Sequence, residues 1–441
     1  MSTENLLLEI GTEEIPSGYF NHILDMLSCK KESPVRALFE AQNIRVDKVS
    51  SYSTPRRIIL HCEDIPINQN IVIEGPPKRI AYGEDGTPTK ALEAFVGKNN
   101  ASLEDVEVRS SGTEERVILK KENVSNGEVL KDLLPKVIKS LDFPKSMRWD
   151  EKGVTFARPI RWILALFGKE LLEFSIGDIQ SCNVTHGHRF LGKDKIRVRD
   201  AGSYFRLLDR NHVVWDNERR KQKLLTFLQK KRWHENPALL DEVNNIVEFP
   251  FFLEGVFKEE YLKLPKEVLL ASMAKHQRVF CLKDKQGNLT NRFVAVLNGN
   301  YKGRRNIRKH YEEVLDARLK DALFFYGADT KKDLSKIAAG LKDVIFHKEL
   351  GTLKDKVERV KDIALFLTHY IKIDPDEKKY LGRAVSLCKA DLLTQMVREF
   401  PSLQGTVGKY YAAVSGEDDS VCEAIGEHYL PRFGDDEIPQ T

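Results

Sequence analysis

The chain has 441 residues, with 70 lysines and arginines against 66 aspartates and glutamates, giving a formal net charge of +4. Hydrophobic residues make up 41% and charged residues 31% of the sequence. This balance is typical of a folded globular protein and excludes global disorder and fibrous repeats. The length predicts two to four domains. No apolar run approaches the roughly 20 residues of a membrane helix.

The location predicted from the sequence is the cytoplasm. Residues 1–5 lack the basic start of a secretory signal, and the apolar run at 6–8 meets Glu9 at once. Six scattered cysteines without CxxC spacing suggest neither a zinc site nor a disulfide framework. We therefore expect reduced thiols and no membrane association.

Taken in chain order, the elements predict a multidomain α+β protein that ends in a mostly helical region. The first part, 1–195, mixes strands at 58–60 and 117–119 with helices at 89–97 and 129–141, and Ala91 and Phe95 are expected to lie on one face of helix 89–97. The middle part, 196–310, carries helices at 203–208 and 218–233 and strands at 212–215 and 293–297. The last part, 311–441, is predicted to contain helices at 314–325, 341–346, 357–371 and 381–397.

Basic residues concentrate in two segments of the middle part. Arg219, Arg220 and Lys223 lie at the start of the predicted helix 218–233, and the same basic segment continues to Lys230, Lys231 and Arg232 at its end. Arg304 and Arg305 lie in a second basic stretch. Either segment is able to track the phosphates of a nucleic acid. The alternative is an ordinary solvated helix face or loop.

Autonomous nucleotide chemistry is not indicated. The sequence has no P-loop and no Rossmann glycine fingerprint, and no serine or cysteine lies in a recognisable nucleophile setting. His186 and His188 would face the same side of a strand, with Cys182 four residues before the first, but no third metal ligand follows at a fixed spacing. We expect these histidines to be structural or to face RNA, with a metal as the alternative.

A series of strings in fixed order carries a family resemblance. They are Leu7-Leu8-Glu9-Ile10-Gly11-Thr12-Glu13-Glu14-Ile15-Pro16, Thr54-Pro55-Arg56-Arg57, Pro144-Lys145-Ser146-Met147-Arg148-Trp149, Phe156-Ala157-Arg158-Pro159-Ile160-Arg161-Trp162, Thr185-His186-Gly187-His188-Arg189-Phe190, Glu248-Phe249-Pro250, Met273-Ala274-Lys275-His276-Gln277 and Glu399-Phe400-Pro401-Ser402-Leu403-Gln404-Gly405. Together they make the chain resemble the beta subunit of bacterial heterotetrameric glycyl-tRNA synthetase over essentially its whole length.

The resemblance implies a subunit of a ligase that joins glycine to tRNA(Gly) with ATP and Mg2+. In this family two alpha and two beta chains assemble, and the aminoacyl-adenylate site belongs to the alpha chain. The resemblance therefore implies that this chain holds no catalytic residue, cofactor or metal and that it binds tRNA, the alpha chain and a second beta chain. Beta chains of the family normally continue into an anticodon-binding region, so this sequence corresponds to the N-terminal portion. Whether Thr441 is a natural end or a truncation stays open.

The helical last part resembles an HD domain. A working HD hydrolase holds a divalent metal with a His-Asp pair and further His and Asp residues, whereas the matching positions here are Lys389-Ala390-Asp391, with His347 apart. A protonated lysine has no lone pair for a metal. A metal-dependent phosphohydrolase and an assembly scaffold without RNA binding are the alternative functions.

RNA recognition needs cations for phosphates and flat side chains for exposed bases. Residues of these types define our candidate contacts to tRNA or to the partner subunit, although Trp149 has the alternative of a place in the core. The candidates are Arg148, Trp149, Arg158, Arg161, His188, Arg189, Arg219, Arg220, Lys223, His276, Gln277, Arg304 and Arg305.

Overall fold

The computed structural model describes residues 2–28, 33–83, 85–99, 101–111, 114–434 and 436–441. The chain forms two compact units. Unit 1 comprises Met1–Leu224 and Leu240–Pro250, and unit 2 comprises Leu225–Leu239 and Phe251–Thr441. The predicted α+β class is confirmed. The three-part division at 195/196 and 310/311 stays a prediction. The boundaries between the two compact units fall at other positions in the chain.

The strands, in chain order, have the following bounds. They are β1 (Thr3–Thr12), β2 (Lys48–Thr54), β3 (Arg57–Pro66), β4 (Asn68–Pro77), β5 (Val106–Ser111), β6 (Glu114–Ser125), β7 (Met147–Arg148), β8 (Thr155–Phe156), β9 (Ile160–Phe167), β10 (Glu170–Leu171), β11 (Ser175–Ile176), β12 (Ile179–Cys182), β13 (Val184–Thr185), β14 (Ile196–Arg197), β15 (Pro250–Val256), β16 (Phe280–Lys283), β17 (Leu289–Asn298), β18 (Ile345–His347) and β19 (Gly351–Thr352).

The α-helices have the following bounds. They are α1 (Phe20–Leu27), α2 (Pro34–Glu40), α3 (Lys78–Ala81), α4 (Lys90–Lys98), α5 (Asn126–Ser140), α6 (Tyr204–Arg210), α7 (Asn217–Lys230), α8 (Pro237–Ile246), α9 (Lys266–Gln277), α10 (Arg304–Asp329), α11 (Leu334–Ala338), α12 (Leu353–Leu367), α13 (Pro375–Leu387), α14 (Gln395–Glu399), α15 (Thr406–Val414) and α16 (Asp419–Glu427). Within the described residues, no helix has both the length and the apolarity needed to cross a membrane.

Unit 1 is built around a sheet with the strand order β11-β12-β9-β1-β3-β2. Strand β1 lies in its middle and pairs antiparallel with β3 and with β9. Successive side chains of a strand point to opposite faces. Leu6, Leu8 and Ile10 accordingly enter one core together with α1, α2 and α5, and Leu7 enters a second core against Tyr204 of α6. A strand that packs on both faces explains the unbroken apolar run at the start of the sequence.

Unit 2 combines a three-stranded sheet, β15-β17-β16, with the helices α9 to α16. One core joins strand residues such as Phe293 to helix residues such as Leu315, Val407 and Ile425. Helices α12 and α13 each begin with a capping box, in which Thr352 pairs with Asp355 and Asp374 pairs with Glu377. The reciprocal hydrogen bonds satisfy backbone N–H groups that a helix start leaves without partners.

Several predicted elements are confirmed, including the strands at 58–60, 117–119 and 293–297 and the long helices near 129–141, 314–325 and 357–371. Helix α7 ends at Lys230 rather than at 233, because Arg232 takes the left-handed conformation, with φ 56°. In α4, Leu92 and Val96 are buried and Phe95 is half-buried against the same cluster, whereas Ala91 is exposed.

Three predicted elements were wrong. Residues 212–215 are a turn and extended backbone without strand pairing, although Val213 and Val214 are buried. Residues 341–346 leave a short 3-10 helix, Ala339–Asp343, and enter the hairpin β18–β19, whose second strand begins at Gly351 with φ 82°. The segment 381–397 is broken after α13, since Thr394 caps a new helix by accepting from the Val397 N–H.

Candidate functional site

Three charged side chains that solvent does not reach meet in the interior of unit 1. Glu9, Arg57 and Glu248 are 0%, 0% and 1% exposed. Arg57 Nη1 donates to Glu9 Oε1 at 2.9 Å, and Arg57 Nε donates to Glu248 Oε1 at 3.0 Å. The Thr54 hydroxyl donates to the same Glu248 oxygen at 2.7 Å. We call Glu9, Arg57 and Glu248 the buried charge cluster.

Electrostatics within the buried charge cluster distinguish its two carboxylates. Burial raises the pKa of Glu9, and the attraction of Arg57 offsets this only in part. Burial also acts to raise the pKa of Glu248, but Arg57, the Thr54 hydroxyl and His188 outweigh it and hold that pKa below its usual value. Burial disfavours the charge of Arg57, yet the two carboxylates raise its pKa. Arg57 therefore stays charged, and it stabilises the charged form of Glu248 more than that of Glu9.

The cluster also holds a surface loop. Arg57 Nη1 donates to the backbone carbonyl of His186 at 2.9 Å. The loop that follows is closed by backbone hydrogen bonds from Gly187 N to the Lys193 carbonyl, 2.8 Å, and from His188 N to the Asn211 carbonyl, 2.9 Å. Four strings that identify the family in the sequence, around Glu9, Arg57, His186 and Glu248, thus meet at one place.

On the surface of unit 1, close to these strings, lies a layer of arginine side chains. Glu13 pairs with Arg161 at 3.4 Å and with Arg189 at 2.9 Å. The His186 ring lies 4.4 Å from that of Trp162, and the guanidinium of Arg56 lies 5.7 Å from the centroid of the same indole. Arg161 and Arg189 are exposed, so this layer is able to bind an anionic or polar partner.

Two predicted contact residues are corrected by their burial. His188 is 1% exposed and Arg220 is 0% exposed, so neither side chain is accessible to RNA or to another subunit in this conformation. Arg220 donates to the backbone carbonyls of Val214 at 2.7 Å and Asn244 at 2.9 Å, which fixes the start of α7. Burial also lowers its pKa, to about 10.

The other candidates of unit 1 lie at or near the surface. Arg148 is exposed and donates to the carbonyls of Asp150 and Glu151, while Trp149 is half-buried and packs against the main core. Arg158 is half-buried, Lys223 is exposed, and Arg219 donates to both carboxylate oxygens of Asp209, at 2.9 and 3.1 Å. These residues stay predictions as contacts.

In unit 2 the remaining candidates are separated from one another. Arg304 and Arg305 are exposed at the start of α10, and the guanidinium of Arg304 lies 5.4 Å from the centroid of the Phe251 ring. Gln277 ends α9. His276 lies in the same helix, but its side chain is outside the described residues. These contacts also stay predictions.

The positions that match a hydrolase HD site do not offer a set of metal donors. His347 is exposed on the hairpin β18–β19, where its Nδ1 accepts from the Glu349 N–H. Asp391 is buried and accepts the Gly405 N–H at 2.6 Å, at the start of α15. Lys389 Nζ lies 2.8 Å from His428 Nε2 and 3.6 Å from the centroid of the Tyr429 ring. An ammonium group occupies the place that a ligand would need, so these residues do not fit a divalent metal.

No other metal site replaces it within the described ranges, where no group of three or more His, Cys, Asp and Glu side chains is placed to hold an ion. In unit 1, His186 Nδ1 lies 3.1 Å from Asp194, and the Cys182 thiol contacts the carbonyl of Ile163 at 3.4 Å. The strand that would align Cys182 with His186 is also broken, since β12 ends at Cys182 and β13 covers only Val184–Thr185. The described cysteines, 62, 182, 281, 388 and 422, are free thiols, and Cys29 lies outside the described residues.

The contact between Lys389 and His428 leads us to expect that the stability of unit 2 depends on pH. Burial lowers the pKa of His428 to about 4, and the positive charges of Lys389 and Arg432 act in the same direction. A histidine whose folded pKa lies below its unfolded value stabilises the protein fully above that unfolded value, and this stability is lost as the pH falls toward the folded pKa. We expect the stability contributed by His428 to fall by roughly 2 kcal/mol between pH 7 and pH 5.

This effect is measured by urea unfolding of the wild type and of His428→Gln at both pH values. Glutamine keeps a polar side chain but does not titrate, so the difference in unfolding free energy between the two proteins should shrink on acidification. His22→Gln is the matched control, because His22 is about half exposed beside Asp142. An equal difference at pH 7 and pH 5 would show that His428 is not held neutral.

Comparison with known proteins gives consistent matches along the chain. Residues 6–441 match the family model described as glycyl-tRNA synthetase beta subunit. This chain is also 41%, 42% and 40% identical to the glycine–tRNA ligase beta subunits of Aquifex aeolicus, Clostridioides difficile and Bacillus subtilis, respectively. These alignments cover 100%, 99% and 100% of this chain and 66%, 64% and 66% of the relatives, so the chain spans just under two thirds of their length.

The matches therefore place this chain among the subunits of aminoacyl-tRNA synthetases. The family model covers nearly the whole chain, and the relatives agree with it in name. The chain belongs to the glycyl-tRNA synthetase beta subunit family.

Proposed function

We propose that this chain is the non-catalytic beta subunit of a glycine–tRNA ligase, which binds tRNA(Gly) and the catalytic alpha subunit in the cytoplasm. The observation that carries the proposal is the match of residues 6–441 to the family model, with relatives about 40% identical over the whole chain. In the proposed heterotetramer, with two alpha and two beta chains, ATP and Mg2+ act through the alpha subunit.

The residues support a binding role over a chemical one. In unit 1 the charged groups of the interior, Arg57 and Glu248, are paired and inaccessible to a substrate. In unit 2, Lys389 stands where an HD hydrolase needs a metal ligand, which disfavours the phosphohydrolase alternative. What the described surface offers is cations, including Arg161, Arg189 and Arg305, which suit phosphates and acidic partner groups.

The test is glycylation of tRNA(Gly) by the cognate alpha chain with and without this protein. We expect the alpha chain alone to give background glycylation and addition of residues 1–441 to raise the rate, because the beta subunit positions the tRNA against the alpha chain's site. A longer beta chain from Bacillus subtilis, with its own alpha chain, is the positive control.

Three outcomes would contradict the proposal. ATP-dependent glycine activation by this chain alone would place an active site here, and a metal-dependent phosphatase activity would favour the hydrolase. Stimulation of glycylation without any tRNA binding by this chain would favour the scaffold. The scaffold is distinguished by direct titration with tRNA at several salt concentrations, because phosphate contacts weaken steeply with salt.

A further inference from the structure

Unit 2 has a basic groove that the sequence candidates did not include. Its volume is about 430 Å³, and six cations line it. Lys230, Lys231 and Arg232 lie at the end of α7 and just after it, and Lys283, Lys285 and Arg292 lie on the hairpin β16–β17. We call this surface the hairpin groove.

The two walls of the hairpin groove are joined by backbone contacts. Lys283 N donates to the Arg232 carbonyl at 2.7 Å, and His234 N donates to the Cys281 carbonyl at 2.8 Å. Between them, Trp233 forms a β-bridge with Leu282, and its ring lies 5.4 Å from that of Phe280. The backbone segments that carry the cations are therefore joined, so an anion in the groove meets cations from both walls.

Few carboxylates neutralise these cations. Glu254 is shared by Lys231 at 2.6 Å and Arg292 at 2.9 Å. Asp284 also lines the groove, but its carboxylate accepts the N–H groups of Gln286 and Asn288 and so holds the hairpin turn. Within the described part of the chain, no carboxylate forms an ion pair with Lys230, Arg232, Lys283 or Lys285.

We propose that the hairpin groove binds the phosphodiester backbone of tRNA, an inference that rests on the proposed function and places part of it. A lysine-rich groove is favourable for phosphates, which need point charges and release counterions on binding. A protein partner is less well matched, because the cores of protein interfaces are depleted of lysine and enriched in aromatic side chains. Backbone contacts of this kind give affinity and register without reading the base sequence.

The test compares tRNA(Gly) binding by three forms of the 441-residue protein. The groove variant combines Lys230→Gln, Arg232→Gln, Lys283→Gln and Lys285→Gln. The control variant combines Lys331→Gln, Lys332→Gln, Lys342→Gln and Lys348→Gln, four exposed residues of the same unit, so that both variants lose the same formal charge. Dissociation constants are measured by fluorescence anisotropy from about 50 to 300 mM salt, and circular dichroism verifies folding.

We expect the groove variant to bind tRNA on the order of 100-fold more weakly near 100 mM salt, with the slope of log affinity against log salt reduced by roughly 3, since four phosphate contacts are removed. The control variant should keep both values within a small factor of the wild type. Glycylation with the alpha chain should fall in parallel for the groove variant and be restored by raising the tRNA concentration.

Three results would overturn the inference. An unchanged salt slope in the groove variant would exclude phosphate contacts there while leaving the proposed function intact, provided that the wild type binds tRNA and supports glycylation. Equal losses in both variants would show an effect of net charge. Retained tRNA binding with lost association of the alpha chain would show that the groove binds an acidic protein surface. If the wild type neither binds tRNA nor supports glycylation, the proposed function fails as well.

Discussion

Replacing Arg57 with methionine is expected to destabilise unit 1 by about 3–5 kcal/mol, the range observed when one member of a buried ion pair is removed. Methionine fills a similar volume but removes the cation that pairs directly with Glu9 and with Glu248 in a site that water does not reach. It also removes the donor to the His186 carbonyl.

Urea unfolding followed by tryptophan fluorescence measures this effect, because Trp149, Trp162 and Trp215 all lie in unit 1. Arg45→Met is the matched control. Arg45 pairs with Asp47, but its side chain is 85% exposed, and surface pairs contribute at most about 1 kcal/mol. A loss for Arg57→Met no greater than that of the control would mean that the buried charge cluster does not stabilise the fold.

Replacing Gly192 with alanine is the second change with a large expected effect. A Cβ atom at this position would lie 2.5 Å from the Asn211 carbonyl oxygen and 2.6 Å from the His188 nitrogen. Both neighbours are backbone atoms, and a hydrogen bond of 2.9 Å joins them. Because they cannot move aside without breaking that bond, we expect a loss of roughly 3 kcal/mol, at the upper end for overpacking.

Hydrogen exchange of the backbone N–H groups of 187–192 shows whether the loss is local to this loop. Gly97→Ala is the control, since a Cβ there has no neighbour within 4 Å and lies in helix α4. The control should be neutral or stabilising by about 0.5–1 kcal/mol. Faster exchange across all of unit 1, without a greater change in the loop, would contradict the local explanation.

Arg57 and Gly192 together explain how unit 1 positions its surface arginines. Arg57 holds the loop from beneath through His186, and Gly192 permits its close packing on Asn211. Arg189, which extends from this loop to Glu13, depends on both. A measurement of tRNA or alpha-chain binding by the Gly192→Ala variant would therefore report on the loop rather than on direct contact.

By itself, the sequence determined the α+β class, many of the strands and helices, and the family. These features are encoded locally or in short strings. The alternation of 58–60 and 117–119 with turn residues predicts strands that the structure contains, and the helical spacing of Val314, Leu315 and Ala322 predicts part of the helix α10. The local signal was insufficient at 341–346, where pairing of 345–347 with Gly351 and Thr352 forms a hairpin in place of a helix.

Only the tertiary structure decided which charged residues are inside. Arg56 and Arg57 are neighbours, yet only Arg57 is fully buried, because two carboxylates from distant parts of the chain, Glu9 and Glu248, converge on it. In the same way, α7 places Arg220 in the interior and Lys230 beside the hairpin β16–β17. A charge is buried only where opposite charges or several hydrogen-bond partners surround it. Those partners come from other segments, and the spacing of residues along one segment carries no information about them.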